Sequence, residues 1–150
     1  MTGPNPLPSP EEDATTAPWW EATRHRRLLL QTCEVCGHAQ HYPRPICLGC
    51  HAIDPPFREA SGTGTVHAAT AVHRAPHRAL LTPYVIALVD LSEGPRLMTR
   101  LVADGEDPAG PSSLDATALG GAAVRVGWWP LEDGRNLPIF IPHPTADEER

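Results

Sequence analysis

Lysine is absent from this chain. All twelve basic residues are arginine, and eighteen acidic residues oppose them for a net charge of −6. That balance disfavours nucleic acid, because duplex binding rests on clustered cations that neutralise phosphates. The arginine-only pattern fits the codon bias of a GC-rich genome. Aromatics make up 5% of the residues, few for the stacking platforms of single-strand binders. No stretch approaches the roughly 18 consecutive apolar residues of a membrane span. Met1 to Pro18 carries proline and acid where a signal peptide carries basic and apolar regions, so a cytoplasmic location is expected. Eighteen prolines cut the chain into short pieces and exclude long helices.

What remains is one ordinary domain or two very small ones within 150 residues. Residues 1–17 mix Pro, Thr, Ser and acid with almost no bulky apolar side chains. They read as a disordered leader, since little burial offsets their ordering entropy. Pro18 to Arg27 reads as a short helix, capped by Thr16, with Pro18 in the first turn and basic residues at the C-terminal end. Leu28 to Thr32 reads as a strand running into the first cysteine pair. From Ser61 the pattern is β. Strands are expected at Gly64 to Arg74, Tyr84 to Leu91, Arg96 to Ala103, Ala122 to Trp129 and Asn136 to Ile141. Ser92-Glu93-Gly94-Pro95 turns the second into the third, and Pro138 places the last near an edge. Asp104 to Gly121 reads as a loop with one helical turn near Leu114 to Leu119. Five short antiparallel strands that must hide their edges suggest a small barrel of the OB-fold kind. The organisation is thus mainly β: leader 1–17, helix and cysteine-bearing ribbon 18–60, five-stranded barrel 61–142, flexible tail 143–150.

Cys33-Glu-Val-Cys36 and Cys47-Leu-Gly-Cys50 form two C-x-x-C pairs ten residues apart. Two intervening residues let both sulfurs of a pair turn toward one metal. Gly37 suits the left-handed turn after the first pair, and Gly49 loosens the second. Four cysteines close a tetrahedral site with no open position, which is a structural rather than a catalytic centre. Zinc fits this donor set, and iron is its main competitor. A zinc held by four thiolates adds two positive and four negative charges, taking the chain from −6 to about −8. His38, His41 and His51 lie nearby but are superfluous to a filled site, and read as surface or supporting residues.

These motifs carry a resemblance. The sequence resembles the acyl-CoA-associated family that joins a rubredoxin-like zinc ribbon to an OB-fold, long called domain of unknown function 35. The likeness runs from about Trp19 to Pro142. It rests on the Trp19-Trp20 helix, Leu28-Leu29-Leu30-Gln31-Thr32-Cys33 and Tyr42-Pro43-Arg44-Pro45-Ile46-Cys47. Ser61-Gly62-Thr63-Gly64-Thr65-Val66, Pro83-Tyr84-Val85-Ile86-Ala87-Leu88-Val89-Asp90-Leu91 and Leu137-Pro138-Ile139-Phe140 complete it. The resemblance implies a small accessory subunit that docks on a thiolase-superfamily enzyme in a hetero-oligomer, with possible contact to acyl-CoA or an acyl-carrier protein.

The chain's own residues offer little catalytic machinery. All four cysteines are committed to metal, and there is no G-x-S-x-G elbow, P-loop or G-x-G-x-x-G fingerprint. His67 and His73 share one strand face by period two, with His77 following, but no carboxylate lies in the same segment. Trp19 and Trp20 cannot both face one small core, so one is expected on the ribbon and the other free to anchor a partner. Arg24 and Arg27 could grip a CoA phosphate, though a solvated helix end is the plainer reading. Tyr42 and Arg44 mark a ribbon arm that a partner could touch. Two other functions compete: a nucleic-acid-binding ribbon and barrel, which would need a basic groove, and a free-standing acyl-CoA hydratase, which would turn over alone.

Overall fold

In the computed structural model residues 7–143 are described. The first six residues of the expected leader and residues 144–150 of the expected tail lie outside them. Helix α1 spans Ala17–Arg24, three residues shorter at its C-terminal end than expected. The chain leaves it through a Schellman turn: Arg27 N–H donates to Ala22 O and Arg26 N–H to Thr23 O, with Arg26 left-handed at φ 55°. Its N-terminal cap is also displaced. Thr16 makes no side-chain cap hydrogen bond. Asp13 supplies it instead, accepting from the N–H groups of Thr15 and Thr16, while Thr16 Oγ1 accepts from Asp13 N–H. Ala17 N–H donates back to Asp13 O, so a preceding turn extends the helix and moves the cap three residues upstream.

Strands β1 (Leu29–Thr32), β2 (Ala39–Gln40) and β3 (Phe57–Glu59) form an antiparallel ribbon sheet in the order β2-β1-β3. Strands β4 (Thr63–Val72), β5 (Tyr84–Leu91), β6 (Arg96–Leu101), β7 (Ala123–Pro130) and β8 (Asn136–Pro142) close a barrel in the order β4-β5-β6-β8-β7. A single 3₁₀ turn, Ala116–Ala118, interrupts the β6–β7 loop where a helical turn is expected. Closure removes the edge expected at Pro138. The residue lies instead in β8, whose parallel seam with β6 has Leu101↔Phe140 as its one registered pair.

Alternation explains the interior. Val85, Ala87, Val89 and Leu91 of β5 point inward, meeting Val66, Leu97, Leu101, Val124 and Phe140. Burying each large side chain contributes about 1.5–3 kcal/mol. The alternation fails once, in β4. Val66 pairs with Val89 but Ala68 pairs with Leu88, so His67 is the extra residue of a β-bulge. The bulge removes the period-two relation that the sequence suggests between His67 and His73.

Helix α1 is the joint between ribbon and barrel, and it buries both tryptophans. Trp19 and Trp20 are each 4% exposed and meet edge to face, with ring centroids 4.8 Å apart. Trp19 Nε1 donates to Leu29 O of the ribbon at 3.0 Å. Trp20 Nε1 donates to Tyr42 Oη at 3.2 Å, and Arg135 stacks 4.7 Å over its ring. Neither is free to anchor a partner. The helix is sandwiched, so two faces about 100° apart both find cover. Asn136 completes the joint by donating from its side chain to Thr23 O at 2.8 Å.

The stretch before α1 belongs to this joint. Arg135, its side chain 7% exposed, donates to Pro10 O at 2.7 Å and pairs with Glu12 at 3.4 Å and Asp133 at 2.6 Å. Residues 7–16 are therefore held against the fold, contrary to the expected disordered leader. Deleting residues 1–14 should lower Tm by several degrees, and Asp13→Ala by a smaller amount, as read by scanning calorimetry. An unchanged Tm for the deletion would show these contacts to be inconsequential.

Candidate metal centre

Two hydrogen-bonded turns bring the four cysteines together. Cys33 N–H donates to His38 O, and Gly37 N–H returns to Cys33 O. Cys47 N–H donates to Ala52 O, and His51 N–H returns to Cys47 O. The turns are equivalent: Gly37 (φ 76°) and His51 (φ 65°) occupy the same left-handed place, four residues after the first cysteine of each pair. The second turn thus uses a histidine where the sequence suggests Gly49 as the loosening residue. Gly49 serves a different need. A Cβ there would lie 3.1 Å from His38 Cβ and 3.3 Å from Cys36 Sγ, so a side chain would press the two turns apart by a few tenths of an ångström.

The sulfurs lie within 4.8 Å of one another, with Cys33–Cys50 and Cys36–Cys47 each at 3.6 Å. A tetrahedral ion with bonds of about 2.3 Å sets sulfurs about 3.8 Å apart, so the cage fits such an ion. Cys33 and Cys47 are buried, and Cys36 and Cys50 are exposed. Without an ion the four thiolates would repel. The Cys36 N–H favours ionisation of Cys33 and draws its thiol down to about 7. For Cys50 the Ala52 N–H acts the same way, but desolvation and the other three sulfurs outweigh it and push the thiol up to about 12. A divalent cation removes that conflict.

A buried amide pair, which no local sequence signal announces, carries the second turn. Gln31 Oε1 accepts from Arg44 N–H and from Gln40 Nε2, each at 2.8 Å, and Gln31 Nε2 donates to Arg44 O at 2.8 Å. Gln40 Nε2 donates to Ile46 O at 3.0 Å, and its Oε1 accepts from Leu48 N–H at 2.9 Å. The network ties β1 and β2 to residues 44–48, and so fixes where Cys47 sits.

The other sequence candidates separate. Arg24 donates to Glu21 and to Asp133 O, and Arg27 pairs with Glu59 at 3.0 Å, so both are engaged within the chain. The Tyr42 ring packs at the joint, 5.9 Å from that of Trp19, yet stays partly exposed. Arg44 is exposed and its backbone alone enters the amide network. His38 and His51 are exposed, but His41 packs 5.6 Å from Trp19 with its Nδ1 buried and unpaired. Burial lowers its pKa to about 4. His67 does find a carboxylate, from the neighbouring strand: Asp90 Oδ2 lies 3.6 Å away, and Arg96 bridges both. The bidentate arginine holds the Asp90 carboxyl below its ordinary range, and the cluster is a surface ion pair with a histidine beside it.

Ribbon, joint and barrel define a class: a four-cysteine ribbon module fused to an OB-fold barrel. Residues 20–54 match the ChsH2 rubredoxin-like zinc ribbon domain, and residues 57–128 the ChsH2 C-terminal OB-fold domain. The solved structure described as an Ltp2-ChsH2(DUF35) aldolase aligns at TM-score 0.72 and 37% identity, covering 89% of this chain and 98% of that one. The chain therefore belongs to the ChsH2 (DUF35) family of zinc-ribbon/OB-fold proteins. A DUF35-family protein of unknown function from Sulfolobus solfataricus aligns at TM-score 0.58 and 12% identity, over 87% of this chain and 86% of that one, which shows the fold alone.

Among curated proteins, a probable enoyl-CoA hydratase alpha subunit of Thermomonospora curvata is 36% identical over 94% of this chain and 41% of its own length. A 3-oxo-4,17-pregnadiene-20-carboxyl-CoA hydratase alpha subunit of Mycobacterium tuberculosis is 34% identical over 71% of this chain and 33% of its own length. A DUF35 domain-containing scaffold protein of Methanocaldococcus jannaschii is 34% identical over 55% of this chain and 61% of its own. The chain thus spans well under half the length of the two hydratase subunits.

Two measurements check this reading of the ribbon. Gln40→Leu should speed metal loss to a chelator by about tenfold, because supporting hydrogen bonds set ligand geometry; an unchanged release rate would remove the amide pair from that role. An NMR titration should place His41 near pH 4. The unfolded chain takes up this proton near pH 6.5 and the folded chain only near 4, so stability is full above that window and falls as pH drops through it. His41→Phe should flatten that part of the profile.

Proposed function

We propose that this chain is a non-catalytic subunit that carries one structural zinc, binds a thiolase-superfamily enzyme, and organises its work on acyl-CoA or acyl-carrier thioesters. The observation that carries this reading is the 37% identity, over nearly the whole of both chains, with a protein solved as part of an Ltp2-ChsH2(DUF35) aldolase. The scaffold description of the Methanocaldococcus jannaschii relative agrees with it. The site chemistry supports it too: the metal cage has its four ligands and no open position, and the barrel interior is filled with side chains. The family's ribbon type supports zinc over iron; the geometry does not decide between them, since tetrahedral sulfur suits both.

A second reading is favoured by the two hydratase alpha subunits, in which the partner is a hydratase and this chain corresponds to one portion of a longer subunit. The two differ in which enzyme is activated, not in what the ribbon and barrel do. With α1 buried, two candidate contacts remain: the exposed ribbon arm around Tyr42 and Arg44, and the apolar barrel face that presents Leu88 and Met98.

Elemental analysis should find about one zinc per chain. Co-expression with a thiolase-like protein from the same source should give a hetero-oligomer on size exclusion, and Arg44→Ala should weaken it while zinc is retained. Acyl-CoA turnover by the isolated chain, or failure of every thiolase-like candidate to bind, would overturn the accessory-subunit reading. Assembly with a hydratase subunit alone would favour the second.

A further inference from the structure

The metal centre and ribbon arm leave one end of the barrel unused. There the segment before α1 crosses the β7–β8 hairpin, pinned at Pro10 and Glu12 by Arg135. Beneath it lies a cavity of about 480 Å³, within the range of small-molecule sites. Leu7, Pro10, Leu80, Trp129 and Leu137 give it an apolar lining. Glu132 stands among the lining residues as the one charged group.

Trp129 connects this cavity to a cation. The Arg100 guanidinium lies 5.3 Å from the Trp129 ring centroid and 4.5 Å from that of Tyr84. Its one hydrogen bond among the described residues goes to Gly110 O at 2.7 Å, yet a guanidinium carries five N–H donors. No nitrogen of Arg100 is both sealed from solvent and unpaired. The acids that face it, Glu106 and Asp107, are already turned to backbone N–H groups of Ala103, Ser113 and Ala109. An apolar cavity therefore shares an indole with a half-buried cation that has donors to spare. Stacking on two rings fixes that guanidinium without neutralising it.

We propose that the cavity under Leu7–Pro10 binds an apolar acyl or aryl chain ending in an anionic group, with the anion directed to Arg100. Glu132 disfavours the anion at its own side and so sets the direction. The site lies wholly within this chain and goes beyond the partner-binding reading; it can succeed or fail independently of it.

The test uses the full-length, metal-loaded protein with decanoate and decanol as probes in isothermal titration calorimetry. Decanoate should bind with Kd below about 1 mM. Ala79→Trp, which fills the cavity, should weaken both probes by about tenfold or more. Arg100→Gln should weaken decanoate by about tenfold and leave decanol within about twofold. Should Ala79→Trp fail to fold, Ser9→Trp, at an exposed lining position, gives the same readout. No binding to the wild-type chain, or undiminished binding to the filled variants, overturns the site. Equal weakening of both probes by Arg100→Gln overturns the anion's place, leaving Arg100 as a loop support.

Discussion

Four sulfurs held within 4.8 Å are the constraint on which the N-terminal half depends. Its strands are four, two and three residues long, too short to sustain a sheet on hydrogen bonds alone. Apart from Cys33 and Cys47, the turns that carry the cysteines bury little: Val35, Leu48 and Ile53 are exposed. What shapes the ribbon is the closure of two left-handed turns on one point, and Gly49 lets them come that close. The Gln31–Gln40 pair then transmits the geometry into β1 and β2. Every polar group of that pair is satisfied, so it specifies one arrangement rather than weakening the core.

The ribbon reaches the barrel through α1, and the energetics of that joint differ from those of the cage. Two indoles supply large apolar area, and each places its one N–H on an acceptor, Leu29 O for Trp19 and Tyr42 Oη for Trp20. Arg135 covers Trp20 from the barrel side while holding the chain before the helix. Its charge is buried but matched by Asp133, whose carboxyl the arginine draws down to about 2. Losing either partner of such a pair is worse than never having had it, because the other charge stays behind unpaired. Ribbon, helix, barrel and N-terminal segment are thus fastened at one place.

Much of this was legible in the residues. Cysteine spacing gave the cage, because two residues between ligands constrain both sulfurs to one point. Turn residues and alternation gave all five barrel strands to within about two residues at either end. What was hidden shares one cause: it depends on partners distant in sequence. Trp19 and Trp20 look like one too many only if a helix has a single buried face, and nothing local announces that Arg135 and Tyr42 will cover the second. Nothing local to Gln31 or Gln40 announces that their amides meet. The bulge at His67 depends on the register with β5, and its carboxylate partner arrives from that strand. The cap at Asp13 was missed for a smaller reason: Thr16 is an equally good capping residue by type, and only the turn over residues 14–16 decides between them.

Packing limits where chemistry can occur. The metal cage is closed, and the barrel interior is packed with Val66, Val85, Val89, Leu101, Val124 and Phe140. Reactive possibilities are thereby confined to outer surfaces. On the face formed by β4, β5 and β6, a nucleic-acid-binding barrel would show stacking rings and free cations. This face instead presents Ala68, Leu88 and a Met98 that is 72% exposed, with Arg96 already paired to Asp90. A surface of that composition suits contact with another protein better than contact with a polyanion. An apolar barrel face beside a ribbon whose four sulfurs form a closed cage offers more to the shape of another protein than to a reacting small molecule.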